Sequence, residues 1–281
     1  MPLREVIAAL DARYDPALAE SWDAVGLVCG DPDEPVRRVL FAVDATTAVV
    51  DEVVATGADL LVTHHPLLLA PVHGVPADDP KGRLVHRLIR AGAGLFVAHT
   101  NADRAPRSGV NDALAAVLGL ADAVPLEPAP ADPRAGLGRV GDLATPMTLR
   151  AFAARAAAVL PATEGGVRAA GEPERAIRRV AVCGGSGGSL LGAAAAAGAD
   201  VLLTSDLKHH GTSDAGELDG PALCDAAHYA TEWPWLPVAA ELLRGDLGGR
   251  VETAVSRVRT DPWTLRADSD AEASGEASPR R

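Results

Sequence analysis

Three cysteines in 281 residues, Cys29, Cys183 and Cys224, are too few and too widely spaced for a disulfide framework or a thiolate zinc site, and their odd number leaves no complete pairing. That scarcity fits a reducing compartment. The opening Met1-Pro-Leu-Arg-Glu5 has no signal-peptide pattern, so a cytoplasmic location is expected. No apolar stretch reaches the roughly 20 residues of a membrane-crossing helix without a glycine or a charge, which excludes an expected membrane span. Positive charge is short as well: 26 Lys and Arg stand against 38 Asp and Glu, for a net charge of −12. This argues against broad nucleic-acid binding and against an anionic membrane as partner. A Gly-x-x-x-x-Gly-Lys-Ser/Thr phosphate loop and a cysteine in a nucleophile-like context are both missing. What remains is an ordinary globular balance, 48% hydrophobic and 23% charged, in a chain long enough for one large or two modest domains.

Hydrophobic periodicity places elements along that chain. Leu3, Val6, Ile7 and Leu10 share a helical face. Residues 39–43, 59–63 and 95–99 read as buried strands, and residues 46–55, 82–91 and 112–118 as helices. Gly57 suits a C-terminal cap and Asn111 an N-cap. A further helix over 149–160 is stopped by Pro161. Strand–helix alternation of this kind indicates α/β layers. The stretch 128–135, rich in Pro, Ala and Asp, reads as a linker between a first lobe (1–127) and a second (136–265). The polar residues 266–281 read as a disordered tail.

An internal repeat supports two lobes. Arg37-Arg-Val and Gly57-Ala-Asp-Leu-Leu-Val-Thr63 align without a gap onto Arg178-Arg-Val and Gly198-Ala-Asp-Val-Leu-Leu-Thr204. With a modest gap, His99-x-x-x-Asp103 aligns with His228-x-x-x-Glu232. A chance match of strand–helix–strand units in an Ala-rich chain is the alternative. The expectation adopted is two similar layered α/β lobes related by pseudo-symmetry, with a site in the cleft between them, where strand C-termini usually place ligands.

His64 and His65 end the apolar run Leu60-Leu-Val-Thr63. Adjacent residues on a regular strand point to opposite faces, but Pro66 forces an extended or turning backbone at His65, so the two imidazoles can serve neighbouring metals. Such histidines also occur simply as polar loop residues. Asp103 alone reads more readily as a turn cap, and His228 with Glu232 as an exposed i, i+4 pair. Taken together, the five residues offer enough imidazole and carboxylate ligands for two divalent ions, with zinc, iron, manganese or nickel suiting the donor set. Two such ions bring about four positive charges and the two carboxylates return about two negative ones, so a small anionic ligand is expected. Lys208, His209 and His210 line the cleft or form a solvated loop; Gly184-Gly-Ser-Gly-Gly188 cradles a phosphate or makes a tight turn; Trp22-Asp23 is a packing anchor or part of the cleft wall.

These features together resemble the NIF3-like family, whose bacterial members carry the name GTP cyclohydrolase 1 type 2 homolog. The matching segments are Ser21-Trp-Asp-Ala-Val-Gly-Leu27, Leu61-Val-Thr-His-His-Pro66, His99-Thr-Asn-Ala-Asp103, Gly109-Val-Asn-Asp-Ala-Leu114, Gly184-Gly-Ser-Gly-Gly188 and Asp225-Ala-Ala-His-Tyr-Ala-Thr-Glu232. The resemblance implies a two-lobed α/β protein holding two metals through His64, His65, Asp103, His228 and Glu232, with Glu232 as the bridge, in a ring-shaped homohexamer. Ala24, where the family usually has Asn, and Thr204-Ser-Asp206, where Thr-Gly-Glu/Asp is more frequent, are departures that touch the cleft but no implied ligand. The activity expected is metal-dependent hydrolysis of a nucleotide-like substrate, with His99 or Glu232 shuttling protons. The alternatives are a non-enzymatic metal-binding or regulatory protein and an assembly scaffold.

Overall fold

Short, buried central strands with more exposed strands at the edges build two sheets. The computed structural model describes residues 1–218 and 220–267; residues 268–281, most of the tail expected to be disordered, lie outside them. The first half runs α1 (Leu3–Arg13), β1 (Gly26–Cys29), β2 (Arg38–Ala42), α2 (Thr47–Thr56), β3 (Leu60–Thr63), α3 (Pro80–Arg90), β4 (Gly94–Val97), the single turn α4 (Thr100–Asp103) and α5 (Val110–Leu118). The second runs β5 (Leu120–Pro128), β6 (Gly136–Thr148), α6 (Leu149–Val159), β7 (Val167–Ala170), β8 (Ala176–Val182), α7 (Leu191–Ala196), β9 (Val201–Thr204), α8 (His209–Gly216), β10 (Ala222–Ala226), α9 (His228–Glu232), α10 (Trp235–Asp246) and β11 (Glu252–Val255). Among the described residues no helix is long and apolar enough to cross a membrane.

The five-stranded sheet has the order β1-β4-β3-β2-β11 and the six-stranded sheet β5-β6-β8-β9-β10-β7. Within them β4-β3-β2 and β10-β9-β8 are parallel triplets, and each is flanked by an antiparallel strand, β1 on β4 and β7 on β10. The two four-stranded units are therefore the same construction used twice. The repeat seen in the sequence explains why. Asp59 accepts the backbone N–H groups of Arg37 and Arg38 at 2.7 and 2.9 Å, and Asp200 accepts those of Arg178 and Arg179, both at 2.8 Å. Each aspartate locks the start of one strand to the start of the next. Gly57 and Gly198, at φ +63° and +68°, make the left-handed turn that lets the preceding helix stop and the strand begin.

Both faces of the first sheet are covered, which is why its strands read as unbroken apolar runs. Val39, Phe41 and Val62 face α1 and α10, while Leu40, Ala42 and Leu61 face α2 and α3. In the second sheet Val180, Val182 and Leu203 face α5 and α6, and Ala181 and Leu202 face α7 and α8. The expected lobe boundaries differ from this pairing. The stretch 128–135 is the turn of the β5–β6 hairpin inside the second sheet, and β11 pairs in parallel with β2 of the first. Helix α5 sends Leu114 and Leu118 into the second core, and α10 sends Trp235 and Leu243 into the first. Each half thus lends its final helix and the strand after it to the other half's layers. Local periodicity shows that a helix has an apolar face but not which sheet that face meets.

Candidate metal centre

The C-terminal ends of the parallel strands converge. His64 and His65 continue directly from β3, their backbone N–H groups donating to Ala42 and Val43 at 3.2 and 2.9 Å. His99 follows β4 and caps α4, whose last residue is Asp103; His228 opens α9 and Glu232 closes it. All five residues expected from the sequence, and His99, lie in one cluster. Glu232 is its hub: its Oε1 is 2.9 Å from His228 Nε2 and 3.4 Å from His64 Nε2, and its Oε2 is 3.1 Å from His65 Nε2. Asp103 Oδ1 lies 3.7 Å from His64 Nε2. Two groups could hold a metal ion, His64 with His65 and His99, and His65 with His228 and Glu232; within each the ligand atoms lie within 4.8 Å of one another. His99, read from the sequence as a proton shuttle rather than a ligand, therefore stands among metal-competent nitrogens.

A second ring of oxygens orients the imidazoles. Each Nδ1 has an oxygen partner: Ala98 O for His64 at 3.0 Å, Asp44 Oδ1 for His65 at 2.7 Å, Asp23 Oδ1 for His99 at 2.9 Å and Asp206 Oδ2 for His228 at 2.7 Å. A carbonyl can only accept, so His64 Nδ1 carries the proton; carboxylates select the same tautomer in the other three. Every Nε2 lone pair is thereby left facing the cluster, the arrangement by which outer partners prepare histidines for metal. His65 and His228 even direct their Nε2 atoms at each other across 3.2 Å. Sequence reasoning did not single out Asp44, and it met Asp206 only within a departure from the family pattern. Asp44 lies two residues past β2, and Asp206 is the repeat partner of His65, signals that could have found them.

Three buried atoms here, His64 Nε2, Asp103 Oδ1 and Glu232 Oε2, have no hydrogen-bond partner. A buried polar atom left unpaired costs about 1–3 kcal/mol, so three converging in one place form an unfavourable arrangement that a bound cation would reverse. Imidazole nitrogen and carboxylate oxygen are the donors such an ion needs, and the residues fit a divalent transition metal.

The protein groups polarise one another strongly. Burial disfavours a charged His65, but Glu232 and the Asp44 hydrogen bond reverse this and push its pKa up to about 11. His228 is likewise opposed by burial and raised to about 9 by Glu232 and Asp206. Burial pushes Asp103 up to about 6, against the charge of His64. Glu232 is held well below the usual carboxylate range because His65 and His64 outweigh its burial. His99 is lowered, by burial and by the charge of His64. With Asp23, Asp44 and Asp206 added to Asp103 and Glu232, five carboxylates stand against the four positive charges of two divalent ions. The local positive surplus expected from the sequence is therefore offset, and attraction of an anion rests on coordination rather than net charge.

The glycine segment serves the cluster by its smallness. Gly184, Gly185 and Gly187 donate their N–H groups to Asn111 Oδ1, Thr231 Oγ1 and Thr204 Oγ1 at 2.8–2.9 Å, so those three are not free to cradle a phosphate. Asn111 is not the N-cap of α5, which is Gly109; it is buried inside the first turn and also donates to Asp103 O at 3.0 Å. A Cβ on Gly185 would lie 2.5 Å from Glu232 Oε1 and 3.0 Å from His228 Nε2, at a φ of +65°. Gly185→Ala is expected to displace both groups and lower metal affinity about 10- to 100-fold, the effect usual for disturbing a ligand's supports. A competitive metal titration giving wild-type affinity would reject this. Elsewhere, Lys208 caps α8, and His209 joins Arg168, Leu207, Thr212 and Asp225 around a cavity of about 500 Å³ beside β7 and β10.

The chain is similar to known proteins over nearly all its length. The family model described as Duf34/NIF3 (NGG1p interacting factor 3) matches residues 1–262. A Streptomyces coelicolor protein named GTP cyclohydrolase 1 type 2 homolog is 52% identical, covering 99% of each chain. A Staphylococcus aureus hypothetical protein of solved structure is 30% identical with a TM-score of 0.87, covering 95% of this chain and 99% of that one. A Bacillus cereus protein related to NIF3, 24% identical, shares the fold at the same TM-score and coverage.

Proposed function

Since the chain belongs to the Duf34/NIF3 family, we propose that it is a metal-dependent hydrolase binding two divalent ions through His64, His65, Asp103, His228 and Glu232, with a nucleotide-like anion as substrate. The observation that carries this reading is the trio His64, His65 and His228, each with its Nδ1 tied to an oxygen and its Nε2 within 3.4 Å of Glu232. Bound divalent ions supply electrophilic polarisation and make water more acidic at neutral pH. The substrate class follows the name of the curated relatives, GTP cyclohydrolase 1 type 2 homolog; in that reaction one water attacks C8 of guanine and opens the ring to a formamide, and a second water releases C8 as formate.

The protein's own part is positioning and proton transfer. Glu232 touches three imidazoles and is strongly acidic, which makes it a poor base. His99 is the better proton acceptor: its pKa is lowered, Asp23 holds its Nδ1 proton, and its Nε2 faces the cluster. Solvent access separates catalysis from storage. The side chains of His64 and Glu232 are 1% and 3% exposed, but those of His65 and His228 are 25% and 33% exposed, so one side of the cluster is open to a substrate.

Elemental analysis of the untagged protein tests the metal half of the reading, and formate release from GTP tests the reaction. About two ions per chain are expected, with His65→Ala losing metal and Asp103→Asn weakening one site while the fold persists. Unchanged stoichiometry in both variants sinks the ligand assignment. Full occupancy without turnover of a nucleotide panel shifts the function to metal binding or regulation.

A further inference from the structure

Trp22 stands beside the cluster with 59% of it exposed. Its indole stands nearly perpendicular to the His99 imidazole, centroids 6.0 Å apart at 77°, so it is one ring removed from the metal-competent nitrogens. Exposed tryptophan on a loose loop would mean little. This loop is pinned. Asp23, whose side chain is fully buried, accepts from the Thr100 backbone N–H at 3.1 Å and from the Thr100 hydroxyl at 2.5 Å while it holds His99. Glu20 donates its N–H to Thr100 Oγ1 at 2.9 Å and pairs with Arg104 through its carboxylate. Glu20 and Asp23, which flank Trp22, are thus clamped to α4, and the indole is held out beside His99 instead of folding into a core.

We propose that Trp22 is the stacking platform of this site, binding the planar heteroaromatic ring of the substrate face to face while the cluster engages the rest. This rests on the hydrolase reading above and narrows it: the substrate is ring-bearing, and the site distinguishes it from a sugar phosphate by stacking. A rigid indole is suited to the task because it offers a large π face at little conformational cost, and every nucleobase has a face to match. His99, edge-on to the same indole, lies where a ring resting on Trp22 comes within reach of its Nε2.

The test uses the metal-loaded full chain and two probes, guanosine 5′-monophosphate and ribose 5-phosphate, the second being the first without its ring. Dissociation constants are measured by calorimetry for the wild type, Trp22→Ala and Trp22→Phe, with metal content and sedimentation recorded for each. The wild type is expected to prefer the nucleotide. Trp22→Ala loses that preference, its nucleotide affinity falling about 10-fold or more, while ribose 5-phosphate binding and metal content stay level; Trp22→Phe retains most of it. Wild-type nucleotide affinity in Trp22→Ala overturns the proposal, as does a wild type that binds neither probe or both equally. A Trp22→Ala chain that changes its oligomeric state also overturns it, since the indole then serves an interface. Failure of the hydrolase reading shows separately, as metal-loaded wild type that turns over no nucleotide.

Discussion

Glu232→Gln is expected to cost the protein most of its metal, with affinity falling by more than the ~100-fold that marks the loss of an outer partner. Its two oxygens lie within 3.4 Å of three imidazole nitrogens. The amide keeps the shape but removes the charge and one acceptor. The same variant carries a proton signature at His65. The pKa of His65 sits at about 11 against burial chiefly because of Glu232, so in protein stripped of metal it should fall steeply in Glu232→Gln. The sign follows from linkage. A histidine raised above its ordinary value stabilises the fold fully below about pH 6.5, and that contribution fades as pH climbs through 9 for His228 and 11 for His65. Metal must displace those protons, so binding at neutral pH releases protons and tightens as pH rises. Histidine titration by NMR and calorimetry in buffers of different ionisation enthalpy measure both effects. A variant with normal metal content and an unmoved His65 would remove Glu232 from the centre of the site.

Arg139→Ala is expected to destabilise the protein by about 3 kcal/mol, the lower end of the range for breaking a buried ion pair, because Asp112 is 26% exposed. Arg139 is 1% exposed on β6. Its guanidinium bonds both oxygens of Asp112, and donates to Gly136 O at 2.9 Å, Gly138 O at 2.8 Å and Ala105 O at 2.7 Å. Ala105 comes two residues after Asp103 and Asp112 lies on α5, so one side chain fastens the α4–α5 segment to the second sheet. Truncation strands a carboxylate and three carbonyls together. Arg139→Lys keeps the charge but not the planar fork, and it should recover only part of the loss. Thermal unfolding reads the change as a drop on the order of 10 °C for Ala. A shift within error for Ala would show that the clamp carries no weight.

Much of this architecture is legible in one dimension because its causes are local. Asp59 and Asp200 stand at the same place in a repeated segment and make the same two hydrogen bonds, and Gly57 and Gly198 turn the chain the same way. His228 and Glu232, four apart, meet on one helical turn as the spacing requires. Other features rest on distance. Asn111 has the composition of an N-cap, but its partners are Asp103 O and Gly184 N, the latter across the two halves. The Gly184–Gly188 segment has the look of a phosphate loop, yet its N–H groups are taken by Asn111, Thr231 and Thr204.

The sequence by itself determined the layered α/β class, the doubled strand–helix–strand unit and the residue types able to hold a metal, because periodicity, caps and donor chemistry are properties of short segments. Only the tertiary structure decided that α5 and α10 cross to the opposite sheets, that Asp23, Asp44 and Asp206 aim the imidazoles, and that Trp22 stands pinned beside His99. Those depend on which apolar face meets which sheet and on which strand ends converge, and contacts between residues tens to hundreds of positions apart leave no period in the chain.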